Sequence, residues 1–343
     1  MTQHLLRLDR VDVDFQTAHG LARAVRGVSL ALAEDTVLGL VGESGCGKST
    51  LLKAIIRVMA PNARIGGGRI LFRGHDLVTA TDGTLQSLRW RHVAMVTQSA
   101  MNALNPVQRI GAQIAEAIRT HERLPGAQVW ARVRDMLSLV GVDPQRLRDY
   151  PHQFSGGMRQ RALIAMALAL GPELVLADEP TTSLDVIVQD EIFRALRRLQ
   201  HERHFSMILV THDIALVQRH CSQVAVMYAG QIVEQGPVDA VLRQGRHPYT
   251  MGLCNAVARL DSRAEPIAIP GQPPDPLLPV TGCAFAPRCP FALPRCRTEA
   301  PPLVGAGPDR LVACHRADAH AELEILAREP ATWDRLLASS ASD

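Results

Sequence analysis

Apolar and polar positions alternate along residues 5–15 and again along 28–33, the period of antiparallel strands with one face in water. The run Thr36 to Val41 is instead continuously apolar and ends against glycines, which predicts a strand buried on both faces. Glu173 to Ala177 and Met207 to Thr211 have the same character, each followed by polar residues where the strand should end. Helical periodicity falls between these runs, over 49–59, 113–120, 127–140, 157–170 and 188–203. Strands alternating with helices predict an α/β fold on a mostly parallel sheet, with an antiparallel β subdomain near the N-terminus. No strand pattern occurs between about 99 and 158, so a helical insert is expected there.

Near residue 246 the pattern changes. Pro266, Pro270, Pro273, Pro274, Pro276 and Pro279 crowd one short segment, which predicts an extended linker. A cysteine-rich stretch follows, then an amphipathic helical tail from about 320 to 337. The expected domains are therefore 1–245, 246–318 and 319–343. An apolar fraction of 47% supports a sizeable core and excludes a wholly disordered chain. No apolar run approaches the roughly 18–20 residues of a membrane span, and acidic residues soon after the N-terminus argue against a signal peptide. A net charge of +3 and 4% aromatics give no basis for a nucleic-acid partner. Of the basic residues only Lys48 and Lys53 are lysines, so a lysine inside a motif stands out.

Gly42-Glu43-Ser44-Gly45-Cys46-Gly47-Lys48-Ser49 fits G-x-x-x-x-G-K-[ST], between an apolar strand and a helix. Such glycines let backbone N–H groups turn toward phosphate oxygens while the helix N-terminus adds its dipole. Lys48 is then expected to reach the terminal phosphates, Ser49 to bind Mg2+, and Thr50 to continue the site. Asp178 and Glu179 end the Glu173 strand. Asp178 suits a Mg2+ carboxylate, and Glu179 a group that polarises the attacking water. Ser155-Gly156-Gly157 opens a helix with a capping serine and two glycines that expose N–H groups to an anion. His212 directly follows the Met207 strand, where it could fix a γ-phosphate and water. Gln98 ends a short strand before the insert, placed to touch Mg2+, and Asp185 lies close after Glu179.

In this order the motifs resemble the nucleotide-binding domain of ABC transporters across about residues 5–245. The resemblance implies a P-loop NTPase core binding ATP and Mg2+, with Glu179 and His212 catalytic and Phe15 as the residue that stacks on adenine. It also implies that Ser155, Gly156, Gly157 and Asp185 serve the ATP held by a second ATPase subunit packed head to tail. The segments Arg246–Thr250, Pro270–Pro274 and Gly282–Pro290 are similar to the C-terminal extension of oligopeptide/dipeptide importer ATPases. That likeness implies a subunit on the cytoplasmic face of the bacterial inner membrane. Its expected partners are a second ATPase chain, two integral membrane permease subunits and an external substrate-binding protein. Residues 98–105, with apolar Met101, Ala103 and Leu104, are expected to line a groove for a permease helix. The competing readings are importers of nickel or another small solute and soluble ABC ATPases of repair or translation. The soluble kinds carry paired ATPase domains or long coiled-coil or zinc insertions that this chain lacks.

Cys283, Cys289, Cys296 and Cys314 are spaced C-x5-C-x6-C-x17-C in a segment with little core of its own. From the residues alone, a [4Fe–4S] cluster, structural zinc or unmetallated thiols are all open, although no C-x2-C zinc knuckle is present. The resemblance to the importer extension tips the expectation to a [4Fe–4S] cluster on those four cysteines.

Overall fold

The computed structural model describes residues 4–97, 103–181, 184–256 and 266–334. In chain order the first strands are β1 Leu6–Thr17, β2 Gly20–Leu32, β3 Val37–Val41, β4 Ala63–Phe72, β5 His75–Asp76 and β6 Val93–Val96. The remaining strands are β7 Leu174–Asp178, β8 Ser206–Val210, β9 Gln223–Tyr228, β10 Gln231–Pro237, β11 Val304–Gly305 and β12 Leu311–Val312. The helices are α1 Lys48–Ile55, α2 Asp82–Leu88, α3 Ile110–His121, α4 Gly126–Leu139 and α5 Gly156–Leu168. They continue with α6 Val186–Arg203, α7 Ile214–His220, α8 Val238–Arg243, α9 Pro248–Asn255 and α10 His320–Ala327. By contacts the chain forms two compact units. The first is Met1–Leu6, Ala31–Val37 and Leu71–Val210; the second is Arg7–Leu30, Leu38–Ile70 and Thr211–Asp343.

In the first unit β6, β7 and β8 pair in parallel, with Val93 opposite Leu174 and Asp178 opposite Val210. Every residue of β7 and β8 is buried, as the uninterrupted apolar runs require of a parallel strand covered on both faces. Helix α5 packs on β6, and α4 packs on both α3 and α5. Between 103 and 158 the described chain is helical or irregular, with no strand.

In the second unit β3 pairs with β9 in parallel, Val41 opposite Val226, and β9 pairs antiparallel with β10. The short β12 extends that run along β10, with β11 at its edge. A two-residue turn joins β1 to its neighbour β2, and β1 shows the alternating burial its sequence predicts. One core binds the C-terminal segments to the strands. Val41, Val226 and Tyr228 share it with Tyr249 of α9, Phe285, Phe291, Leu323 and Trp333. Burying side chains of this size contributes roughly 2–3 kcal/mol each. The Pro-rich stretch forms no helix or strand but is strapped down: the Arg23 N–H donates to Pro276 O at 3.0 Å. The tail helix breaks after Ala327, ahead of Pro330. Trp333 then returns to the core, its indole N–H donating to Ala327 O at 2.9 Å.

His247 caps α9, its Nδ1 accepting the Tyr249 N–H at 3.0 Å, and only 1% of it is exposed. Burial depresses its pKa to about 3. The unfolded chain binds a proton there below about 6.5 while the folded chain stays neutral, so stability falls as pH drops through that window. Chemical denaturation at pH 7 and 4.5 should show a loss of up to roughly 2–3 kcal/mol from this residue. His247→Asn, which keeps a capping acceptor, should lessen the dependence; an unchanged pH slope would count against it.

Candidate nucleotide-binding site

In the second unit β3 ends at Val41 and α1 begins at Lys48, so the loop between them must reverse within six residues. Gly42, Gly45 and Gly47 have φ of 153°, 79° and 106°, values that side chains disfavour. Space forbids a side chain as well. A Cβ at Gly42 would lie 2.1 Å from the Met227 carbonyl oxygen, and one at Gly47 would lie 2.3 Å from that of Ala24. The amides of Ser44, Gly45 and Gly47 make no hydrogen bond to another described residue, which leaves donors available beside the N-terminus of α1. Lys48 is buried and donates from Nζ to the carbonyl oxygens of Gly42 and Glu43, each at 2.8 Å. Ser49 and Thr50, in the first turn of α1, are half-buried. Cys46 is buried, and desolvation pushes its thiol pKa up, so it is a neutral packing residue here. The chemistry of this loop suits a polyphosphate: backbone donors, one cationic side chain and no bulk.

Glu43 is held from outside the loop. Its N–H donates to Tyr249 Oη at 2.8 Å, and its carboxylate takes a two-pronged ion pair from Arg288 at 2.8 and 3.0 Å. Neither partner belongs to the motif, and the sequence separations of 206 and 245 residues conceal both. The only available signal was their place in the Arg246–Thr250 and Gly282–Pro290 segments. Phe15 lies on β1 of the same unit and is half-buried, and His212 follows β8 as an exposed residue. Asp213 beside it caps α7 by accepting the Leu216 N–H at 3.1 Å.

The first unit carries the carboxylates and the small-residue helix start. Asp178 is the last residue of β7 and 4% exposed. Glu179 follows with φ 44°, a left-handed conformation uncommon for glutamate, and its N–H donates to Val210 O at 2.9 Å. Ser155 caps α5 by accepting the Met158 N–H at 3.3 Å. Gly157 allows α6 to come close, since a Cβ there would lie 2.6 Å from Val188 Cγ1. Asp185 caps α6 by accepting the Val188 N–H at 2.9 Å. Arg146 carries no motif of its own, yet its guanidinium lies 4.9 Å from the Phe154 ring centroid and donates to Gln153 O at 2.9 Å. It steadies the segment leading into Ser155. Gln98 and Met101 lie outside the described residues. Leu104 is 3% exposed, so it is core and does not line an open groove.

The four clustered cysteines require a correction. Cys283, Cys289, Cys296 and Cys314 do converge, with Phe285 and Phe291, around a cavity of about 20 Å3. Burial pushes the thiols of Cys283, Cys289 and Cys314 up, the last to about 11. Among the described residues no group of three or more His, Cys, Asp or Glu is placed to hold a metal ion. The expected [4Fe–4S] cluster is therefore not supported. The cysteines pack as small apolar residues.

Comparison with known proteins agrees with the site. The family model described as ABC transporter matches residues 25–182, and the model for the oligopeptide/dipeptide transporter C-terminal region matches 233–296. The dipeptide transport ATP-binding protein DppD of Bacillus subtilis is 42% identical over 328 residues, 94% of this chain and 98% of that protein. The chain belongs to this family of ABC ATPases. The oligopeptide transport ATP-binding protein OppD of Salmonella typhimurium is 42% identical over 91% of this chain and 93% of its own length. Both relatives are named as peptide-transport ATP-binding proteins. Among solved structures, the dimeric bacterial ABC transporter cassette MJ0796 superposes with a TM-score of 0.62 at 25% identity, covering 68% of this chain and 98% of that one. The fold is that of an ABC P-loop ATPase on mixed sheets, and the chain is an ATPase of that type.

Removing the Lys48 ammonium should cost the phosphates a charge-assisted partner, worth about 1.5–3 kcal/mol. Lys48→Ala is thus expected to weaken ATP binding at least tenfold, read by titration with a fluorescent nucleotide. Wild-type affinity in that variant would remove Lys48 from the site.

Proposed function

We propose that this chain is the ATP-hydrolysing subunit that drives peptide import through an ABC transporter on the cytoplasmic face of the bacterial inner membrane. The observation that carries this reading is the pair of family matches in one chain. The ABC transporter match covers the motor, and the oligopeptide/dipeptide transporter match covers the C-terminal region. Among the described residues no helix is long and apolar enough to cross a membrane, and in this reading the translocation path is supplied by other chains. Those partners are two permease subunits with an external peptide-binding protein. The division into 1–245, 246–318 and 319–343, with a helical insert over about 99–158 and a small cysteine-rich extension, is proposed with it.

In this reading the loop from Gly42 to Gly47, with Lys48, Ser49 and Thr50, cradles the phosphates, and Phe15 stacks on adenine. Mg2+, which prefers oxygen ligands and would neutralise phosphate charge, would be held by Ser49, Gln98 and Asp178. Glu179 accepts hydrogen bonds from the attacking water and raises its nucleophilicity, while His212 holds that water and the γ-phosphate in line. Ser155, Gly156, Gly157 and Asp185 face the nucleotide of a second ATPase subunit, so binding ATP closes the pair and hydrolysis releases it. The exposed apolar Val186 and Ile187 beside Asp185 support a face that another subunit covers.

Glu179→Gln keeps the shape of the site and removes only the polarising charge. In the assembled transporter it should bind ATP normally and hydrolyse it about 100-fold or more slowly, with peptide uptake lost. Wild-type turnover would take Glu179 out of the catalytic role.

A further inference from the structure

The phosphate-binding loop contains an acid. Glu43 directly follows Gly42 and precedes the residues whose amides are available, so a negative charge stands in the loop proposed to receive a triphosphate. Left alone, it would repel that ligand. The structure places a compensating cation there from far along the chain. Arg288 lies in the short turn between Cys283 and Cys289, its side chain 7% exposed against 26% for Glu43. It is a fully committed guanidinium. Its Nη1 and Nη2 take the two carboxylate oxygens of Glu43, its Nε donates to Pro270 O at 2.8 Å, and Nη1 also donates to Tyr228 Oη at 3.2 Å. The plane lies 5.7 Å from the Tyr228 ring centroid. Glu43 is the one carboxylate it pairs with among the described residues.

A forked guanidinium fixes direction as well as charge. Tyr249 Oη accepts the Glu43 N–H, so backbone and side chain of this residue are both tied to the C-terminal segments. Tyr228, Tyr249 and Phe285 pack on one another in tilted and edge-to-face arrangements, with ring centroids 4.6 to 5.4 Å apart, and form a stiff support for the pair. All these residues lie within the second unit.

We propose that Arg288 is a positioning residue for nucleotide binding: it neutralises and orients Glu43, so that the cysteine-rich segment sets the affinity of the phosphate loop for ATP. This rests on the ATP-binding reading above and adds to it a control of affinity from outside the motor motifs. The predicted signature is a change in ATP affinity, not in turnover at saturation, because Arg288 touches the loop and not the reacting atoms.

The test is a double-mutant cycle on the full chain, with ATP affinity read by fluorescent-nucleotide titration and folding checked by thermal melting. Arg288→Met should weaken ATP binding about tenfold, equivalent to about 1.4 kcal/mol, because Glu43 is left uncompensated. Arg288→Lys, which keeps charge without the fork, should lose about threefold or less and serves if the Met variant does not fold. In the Glu43→Gln background the same Arg288→Met change should cost less than about twofold, since no charge remains to neutralise. An equal penalty in both backgrounds would mean that Arg288 only supports the fold and would overturn the inference. So would wild-type affinity in Arg288→Met while the unmutated chain binds ATP normally. An unmutated chain that binds no ATP would instead remove the underlying reading, and this inference with it.

Discussion

Glu43 places a carboxylate at the mouth of a loop built from glycines, backbone amides and a single lysine, and it meets a buried arginine from 245 residues further along the chain. A carboxylate–guanidinium pair at this depth is costly to break, because whichever partner remains keeps an uncompensated charge. Tyr228, which packs with Tyr249 and Phe285, meets Arg288, the Pro-rich strap supplies two carbonyl acceptors to that guanidinium, and Trp333 shares the core of the three rings. The C-terminal third of the protein is thus built into the structure that shapes the nucleotide loop.

Much of the motor could be read from residues alone because its elements have strong local signatures. The apolar runs that became β3, β7 and β8 contain no charge inside the strand until the terminal Asp178, and parallel pairing buries both faces. The loop at 42–47 needed only glycine spacing, since no other residue tolerates the carbonyls of Met227 and Ala24 so close. The strands β9 and β10 were not evident: the short segment 223–237 is interrupted by a tight turn at Ala229–Gly230 and lies between the short helices α7 and α8. Leu104 was misassigned to a groove because apolar character does not reveal which way a residue faces.

The cysteines show a different limit. Four cysteines in a Pro-rich segment gave a reason for a metal centre, because local core was expected to be scarce. The second unit supplies that core instead, through Phe285, Phe291 and their neighbours, and among the described residues no group of three or more His, Cys, Asp or Glu is placed to hold a metal ion. Long-range contacts such as Arg288 to Glu43 escape sequence reading for a related cause. Nothing in the local pattern of either residue names its partner.

In the proposed coupling, the cysteine-rich segment and the phosphate loop act as one piece of the nucleotide site. Hydrogen exchange on the full chain with and without Mg-ATP tests it directly. The amides of Cys283, Ala286, Arg288 and Cys289 are all hydrogen-bonded and should exchange measurably through local opening. ATP should slow exchange in 283–289 together with 42–49. Protection confined to 42–49, with 283–289 unchanged, would contradict the account.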